Sequence, residues 1–262
     1  MFNKFWFDAK NINCFKNGFR VIKDLNLKIA YSENVILIGP NGPGKSSLIE
    51  IINRNIYPVV ANESKLKIFD KELINLWELR KKISTVNNDI KNRINPNLKV
   101  FDLILSGLYG RYCYVQNKSE RDSYEVENIM KKMNISNLSK KKFSFLSDGE
   151  KQITLIARAL IKKPDILILD EPIANLDYKS KFFVIDKVNE LSKLNTKILC
   201  VTHDISTITQ IYDRVIMLKD GNIIADGDQY KVMNSENFNK LFGIQVEITN
   251  NNGLWSISRL PK

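Results

Sequence analysis

The sequence predicts an α/β fold built around a mostly parallel sheet, and two stretches carry that expectation. Val35-Ile36-Leu37-Ile38 is a short apolar strand that runs into Gly39-Pro40-Asn41-Gly42-Pro43-Gly44-Lys45-Ser46, after which Leu48, Ile49, Ile51 and Ile52 recur at helical spacing. Ile166-Leu167-Ile168-Leu169 is a second continuous apolar run, which suits a central parallel strand covered on both faces. With 262 residues and 44% hydrophobic content, the chain is long enough for one large domain or two small ones.

The elements follow in order. Met1-Phe2-Asn3-Lys4-Phe5-Trp6-Phe7-Asp8 is apolar but short, and it lacks the long apolar stretch and small-residue cleavage site of a signal peptide. Val21, Leu25, Leu27 and Ile29 alternate with polar residues, as in a half-buried strand. Gly39–Ser46 fits G-x-x-x-x-G-K-[ST], a phosphate-cradling loop, and sits between the strand and helix that the chemistry requires. Such a turn aims backbone N–H groups and the positive end of a helix at an anion. Lys45 is placed for the β- and γ-phosphates of a nucleotide and Ser46 for Mg²⁺. Gly39, Pro40, Asn41, Gly42, Pro43, Gly44, Lys45, Ser46 and the following Ser47 are therefore the candidate phosphate ligands.

Ile83-Ser84-Thr85-Val86 reads as a further strand, and residues 88–161 read as mainly helical. Val100–Gly107 and Ser119–Met133 have helical spacing, with Ile129, Met130 and Met133 as core positions. Between them lies a polar and aromatic loop with Tyr109, Tyr112 and Tyr114, which either anchor a partner or pack down. Leu146-Ser147-Asp148-Gly149-Glu150 precedes a helix that Ser147 can cap, and the positive end of that helix is a second anion site. The apolar run at 166–169 ends in Asp170-Glu171-Pro172. Ligands of open α/β sheets bind at the carboxyl ends of strands. Asp170 thus suits Mg²⁺ held through water, and Glu171 suits a general base that polarises the attacking water. Lys197–Val201 is another strand, followed by His203, the single histidine. Residues 1–87 and 162–240 are expected to build the sheet and a β-rich edge. The tail 241–262 alternates Val246, Ile248, Leu254, Trp255 and Ile257 around Asn250-Asn251-Asn252-Gly253, which reads as a hairpin.

Composition narrows the classes. Cys14, Cys113 and Cys200 are odd in number and far apart, so neither a disulfide framework nor metal spacing follows, as suits a reducing compartment. A net charge of +11 permits a nucleic-acid or anionic-membrane partner. The lysines are dispersed, however, and no nucleic-acid signature accompanies them, so no specific nucleic acid is expected. No apolar run reaches the ~20 residues of a membrane span. A cytoplasmic protein without internal repeats is expected.

In this order Gly39–Ser46, Leu146–Glu150 and Ile166–Pro172 resemble the ATP-binding subunit of ABC transporters. Ala174-Asn175-Leu176-Asp177 is similar to that family's D-loop and His203 to its switch histidine, and the resemblance covers nearly the whole chain. It implies a P-loop NTPase with a mostly parallel central sheet, a β-rich edge subdomain and an inserted helical subdomain. Residues 1–240 would form the ATPase domain, with 88–161 as the helical insert carrying the signature loop and 241–262 as the hairpin tail. It further implies Mg-dependent ATP hydrolysis between two such subunits facing head to tail, a homodimer. Ser147 and Gly149 would contact the γ-phosphate held by the partner, and His203 would hydrogen-bond the γ-phosphate. Phe15 is the match for the aromatic residue that stacks on adenine, with Phe19 as the alternative.

Two positions depart from the family pattern. Asp148 and Glu150 stand in a signature that usually reads Leu-Ser-Gly-Gly-Gln, and Asp148 sets a carboxylate near the partner's triphosphate, where repulsion weakens the ATP-bound dimer. Asn88 stands where the family has the glutamine that reaches Mg²⁺, with Asn87 and Asn92 as lesser alternatives. The resemblance places the subunit at the inner face of the plasma membrane, docked on a separate integral membrane permease over residues 88–115. Val100–Gly107 and Phe242-Gly243-Ile244 most resemble ATPases of importers for metal ions, metal chelates or molybdate-like oxyanions. The alternative is a soluble ABC ATPase of a cytosolic assembly complex, such as iron–sulfur assembly. A nucleotide-regulated nucleic-acid binder is a third class, suggested only by charge.

Overall fold

In the computed structural model, residues 4–192, 195–251 and 253–259 are described, with the side chain of Pro43 outside that set. The expected hairpin tail is therefore described without residues 252 and 260–262. The chain runs β1 (Phe5–Lys16), β2 (Phe19–Ala30), β3 (Val35–Ile38), α1 (Pro43–Ile52), β4 (Lys65–Ile68), α2 (Leu76–Lys82) and β5 (Ile83–Val86). Next come α3 (Ile90–Arg93), α4 (Val100–Leu108), α5 (Glu120–Lys132), α6 (Asp148–Leu160), β6 (Ile166–Asp170), α7 (Tyr178–Leu191) and β7 (Lys197–Thr202). It closes with β8 (Arg214–Lys219), β9 (Asn222–Asp228), α8 (Gln229–Val232), α9 (Ser235–Phe242), β10 (Val246–Asn251) and β11 (Leu254–Arg259).

Two compact units result, one from residues 1–80 with 197–262 and one from 81–196. In the first, β3 pairs parallel with β7 on one side and β8 on the other, and β9 adds antiparallel to β8. Every residue of β3 is fully buried, which is why the strand carries no polar alternation. A separate antiparallel sheet has the order β2-β1-β4, and Trp6, Phe7, Ile12, Ile22, Leu25 and Ile29 are its buried side chains. β10 and β11 pair antiparallel from Val246↔Arg259 to Asn251↔Leu254. The Asn239 side-chain oxygen accepts from Val246 N at 2.9 Å and Ser235 Oγ from Ile248 N at 3.2 Å, so α9 caps the outer edge of β10.

The second unit pairs β5 parallel with β6, whose residues Ile166–Leu169 are buried, and holds helices α3 to α7. The helical span expected at 88–161 contains α3 to α6. The compact unit around it is longer because β6 and α7 belong to the same packed body.

Candidate functional site

The phosphate loop joins β3 to α1 within the first unit. Gly39 leaves no room for a side chain, since a Cβ there would lie 2.1 Å from the Leu218 carbonyl oxygen. The loop is thus pressed against β8. Gly42 precedes α1 without a side-chain cap, Pro43 occupies the first turn, and no acidic residue lies there. The leading N–H groups of α1 are left for an anion. Lys45 is 5% exposed, and its ammonium donates to the Gly39 and Pro40 carbonyls at 2.8 and 2.7 Å. Ser46 is exposed in the first turn of α1. The Ser47 hydroxyl is buried with no hydrogen-bond partner among the described residues, a costly orphan unless a ligand oxygen completes it. A cavity of about 170 Å³ opens here, lined by Pro40, Asn41, Gly42, Gly44 and Lys45 from the loop.

Other segments of the same unit complete that cavity. Arg20, Val21 and Lys23 come from β2, and Leu218 and Asp220 from the end of β8. Gly221 explains the approach of these two segments. It sits at φ +82°, a Cβ there would stand 2.6 Å from the Val21 carbonyl oxygen, and its own carbonyl accepts from Lys23 N at 2.9 Å. Phe15 and Phe19 are both exposed, at 51% and 75%, and Phe15 lies directly across β1–β2 from Arg20. Sequence reasoning missed Arg20, Lys23 and Asp220. A signal for Arg20 was present, because Asn17-Gly18 marks a two-residue hairpin turn whose register sets residue 20 opposite residue 15.

His203 follows β7 and is exposed. Its loop is fixed from both sides. Thr202 Oγ1 accepts from Asp204 N at 3.0 Å, and the Asp204 carboxylate accepts from Ser206 N at 3.0 Å and Ser206 Oγ at 2.7 Å.

The remaining candidates lie on the second unit. Asp170 ends β6 half-buried, and Glu171 follows at φ +51°, a left-handed conformation that glutamate seldom adopts. Asn175 at φ +61° continues the turn toward Asp177, which caps α7 by accepting from Ser180 N and Ser180 Oγ, both at 2.9 Å. The Ser180 backbone N–H foremost, with its hydroxyl, holds the Asp177 carboxyl below the ordinary carboxylate range. Ser147 caps α6 in a reciprocal pair, with Ser147 Oγ accepting from Glu150 N at 3.2 Å and Glu150 Oε2 from Ser147 N at 2.8 Å. Gly149 is buried in the first turn of α6.

Two charged positions on the second unit are less free than the sequence suggests. Asp148 is not a bare charge, because Lys151 Nζ stands 3.0 Å from its carboxylate one turn along α6. Lys91 lies within the span 88–115 expected to dock the permease. It is half-buried, and burial pushes its ammonium pKa down while the Asp148 carboxylate acts in the opposite direction. Of the asparagines, the Asn87 side chain accepts from Ile90 N at 3.3 Å and is used in the turn, whereas the Asn88 amide makes no hydrogen bond among the described residues.

Ser46 on the first unit, and Asn88 and Asp170 on the second, each carry a hard oxygen donor of the kind Mg²⁺ prefers. The tyrosine loop divides in two. Tyr109 and Tyr114 are exposed, while the Arg158 guanidinium sits 4.2 Å above the Tyr112 ring and donates to the Arg111 carbonyl at 2.6 Å.

A family model described as ABC transporter matches residues 22–174. An uncharacterized ABC transporter ATP-binding protein of Lactococcus lactis is 29% identical over 92% of this chain and 93% of its own length. Another, from Methanocaldococcus jannaschii, is 32% identical over 90% of each. Among solved structures, CbiO1 from Clostridium perfringens, described as part of the ABC transporter complex cbiONQ, is 25% identical with a TM-score of 0.78, covering 91% of this chain and 94% of that one. An ATP-binding cassette solved as a dimer in a post-hydrolysis state with ADP and Pi is 26% identical with a TM-score of 0.68, covering 85% of this chain and 98% of that one.

Proposed function

Since the chain belongs to the ABC transporter family, as one of its ATP-binding and ATP-hydrolysing subunits, we propose that it powers import through a separate membrane permease. The carrying observation is the phosphate loop. Its buried Lys45 ammonium rests on loop carbonyls, the Ser47 hydroxyl has no partner among the described residues, and the start of α1 has no side-chain cap. A triphosphate would answer all three groups at once. Subunits of this family dimerise and work with membrane permeases.

The residue roles follow the chemistry of each group. Lys45 neutralises the β/γ-phosphates, and the N–H groups of Gly39–Ser47 cradle them. Ser46 offers Mg²⁺ a hydroxyl, Asp170 a carboxylate and Asn88 an amide. When bound, Mg²⁺ would supply positive charge against that developing on the transferring phosphoryl group. Glu171 orients and deprotonates the attacking water, and His203 bonds the γ-phosphate. Ser147 and Gly149 meet the nucleotide held by the second subunit, and Phe15 stacks on the base. The cargo we propose is a metal ion, metal chelate or oxyanion, supported by the Val100–Gly107 and Phe242-Gly243-Ile244 segments. Among the described residues no helix is long and apolar enough to cross a membrane. We therefore place the subunit on the inner face of the plasma membrane through its permease.

The test is Glu171→Gln, measured for ATPase rate and for sedimentation with Mg-ATP. The expected variant binds ATP, loses turnover and accumulates as a dimer. Turnover at the wild-type rate would remove Glu171 from the catalytic role.

A further inference from the structure

We propose that Arg20 is a further nucleotide-binding residue, one that donates to the α-phosphate and so makes the site prefer nucleotides over inorganic pyrophosphate, which has no third phosphate to reach it. The inference rests on the ATP-binding reading above and extends it to a residue outside the motifs. Three observations carry it.

The first is position. The Asn17-Gly18 turn, at φ +52° and +82°, fixes the β1–β2 register so that Phe15 pairs with Arg20. Directly paired residues of an antiparallel ladder share one face, with Cβ atoms about 4.5–5.5 Å apart. Arg20 also lines the cavity of the phosphate loop, together with Gly42 and Lys45.

The second is immobilisation. An arginine this exposed ordinarily keeps its rotamer freedom, and fixing it costs entropy. Here Arg20 Nε donates to Asn13 Oδ1 at 2.8 Å, and Nη2 donates to Asp24 Oδ2 at 2.7 Å and also to Asn13 Oδ1. Asn13 and Asp24 are themselves tied. Asn13 Nδ2 donates to Asp24 Oδ1 at 2.9 Å, and Asp24 N donates to Asn13 Oδ1 at 2.9 Å. The guanidinium is held as a preset fork.

The third is the unused edge. Nη1 makes no hydrogen bond among the described residues, so the fork keeps two N–H donors for a ligand. If the network served only to close the β1–β2 ladder, Asn13 and Asp24 would satisfy each other without it. Lys45 addresses the β/γ end of a nucleotide and Phe15 the base end. Arg20, paired with Phe15, is therefore assigned the phosphate nearest the sugar, to which it can give charge-assisted hydrogen bonds.

The experiment is calorimetric titration of the full chain at low salt with ATP, with ADP and with inorganic pyrophosphate, whose two phosphates fill only the β/γ end. Arg20→Gln should weaken ATP and ADP by the same factor, tenfold or more, and leave pyrophosphate within about twofold. Lys45→Ala should weaken pyrophosphate as well. Asn13→Ala, which frees the guanidinium without removing it, should cost ATP a few-fold and pyrophosphate nothing. This variant keeps the test open even if Arg20→Gln lowers the melting temperature of the ligand-free chain. Unchanged ATP affinity in Arg20→Gln would overturn the proposal. So would equal losses for ATP and pyrophosphate, which would move the contact to the terminal phosphates. A wild-type chain that binds none of the three ligands would instead bring down the ATP-binding reading itself.

Discussion

Ser147 caps α6 and is proposed to meet the partner's γ-phosphate, and removing its hydroxyl should separate the two roles. In the free chain the hydroxyl caps α6, accepting from Glu150 N at 3.2 Å. In the proposed dimer it meets the γ-phosphate bound by the second subunit. Replacing an N-cap serine by alanine costs about 0.5–2 kcal/mol. The lower half of that range applies here. The bond is at the long end of the normal N–H···O range, and the return bond from Ser147 N to Glu150 Oε2, at 2.8 Å, survives in Ser147→Ala. A loss of about 0.5–1 kcal/mol shifts the melting temperature of a chain of this size by roughly 1–4 °C. Asparagine caps about as well as serine, so Ser147→Asn should restore most of that shift. It should not restore ATP-driven dimerisation, because the amide is larger and cannot reproduce the hydroxyl's approach to a phosphate. The assay pairs scanning calorimetry of the nucleotide-free variants with sedimentation in Mg-ATP, the latter in the Glu171→Gln background. An unchanged melting temperature in Ser147→Ala would show that the hydroxyl does not cap α6 in solution. Undiminished dimerisation in both variants would remove Ser147 from the partner's phosphate.

Two further expectations concern charge. Lys151→Ala should uncover the Asp148 carboxylate, now 3.0 Å from the Lys151 ammonium, and weaken ATP-driven dimerisation more at low salt than in about 0.5 M salt. Asp148→Gly alone should change the dimer constant by less than about fivefold, the usual range for an exposed pair. A salt-independent effect of Lys151→Ala would refute the electrostatic account. In the second expectation, Arg93→Glu should abolish permease pull-down while ATP affinity stays at the wild-type level, since Arg93 is exposed on α3 and far in sequence from the phosphate loop. Full transport by Arg93→Glu would place the docking surface elsewhere. Lys91→Glu is a poor probe of docking, because it would set a second carboxylate against Asp148.

The parts of the fold legible in the sequence are those where one local pattern decides the outcome. Val35–Ile38 and Ile166–Leu169 read as buried strands because nothing polar interrupts them, and the structure makes them β3 and the body of β6. Helices at 100–107 and 119–133 announced themselves by spacing and appear as α4 and α5, the latter with a Ser119–Asp122 capping box. The sequence did not expose what depends on register or depth. Arg20 reads as one more surface cation until the Asn17-Gly18 turn pairs it with Phe15. Lys91 reads as solvated because it lies in a polar run, and only folding half-buries it. The Asp148–Lys151 pair, three residues apart, was visible in principle.

With the catalytic role proposed for Glu171, its backbone would set turnover against durability at one position. A non-glycine residue in the left-handed region gives up about 1–2 kcal/mol, and Glu171 sits there at φ +51°. Glu171→Gly would relieve that strain and should raise the melting temperature by a few degrees while ending hydrolysis. Rigidity and catalysis are therefore traded at a single peptide unit. A laboratory selection for heat resistance alone, with no demand for transport, would be expected to discard this glutamate early and yield a hardier subunit that moves nothing.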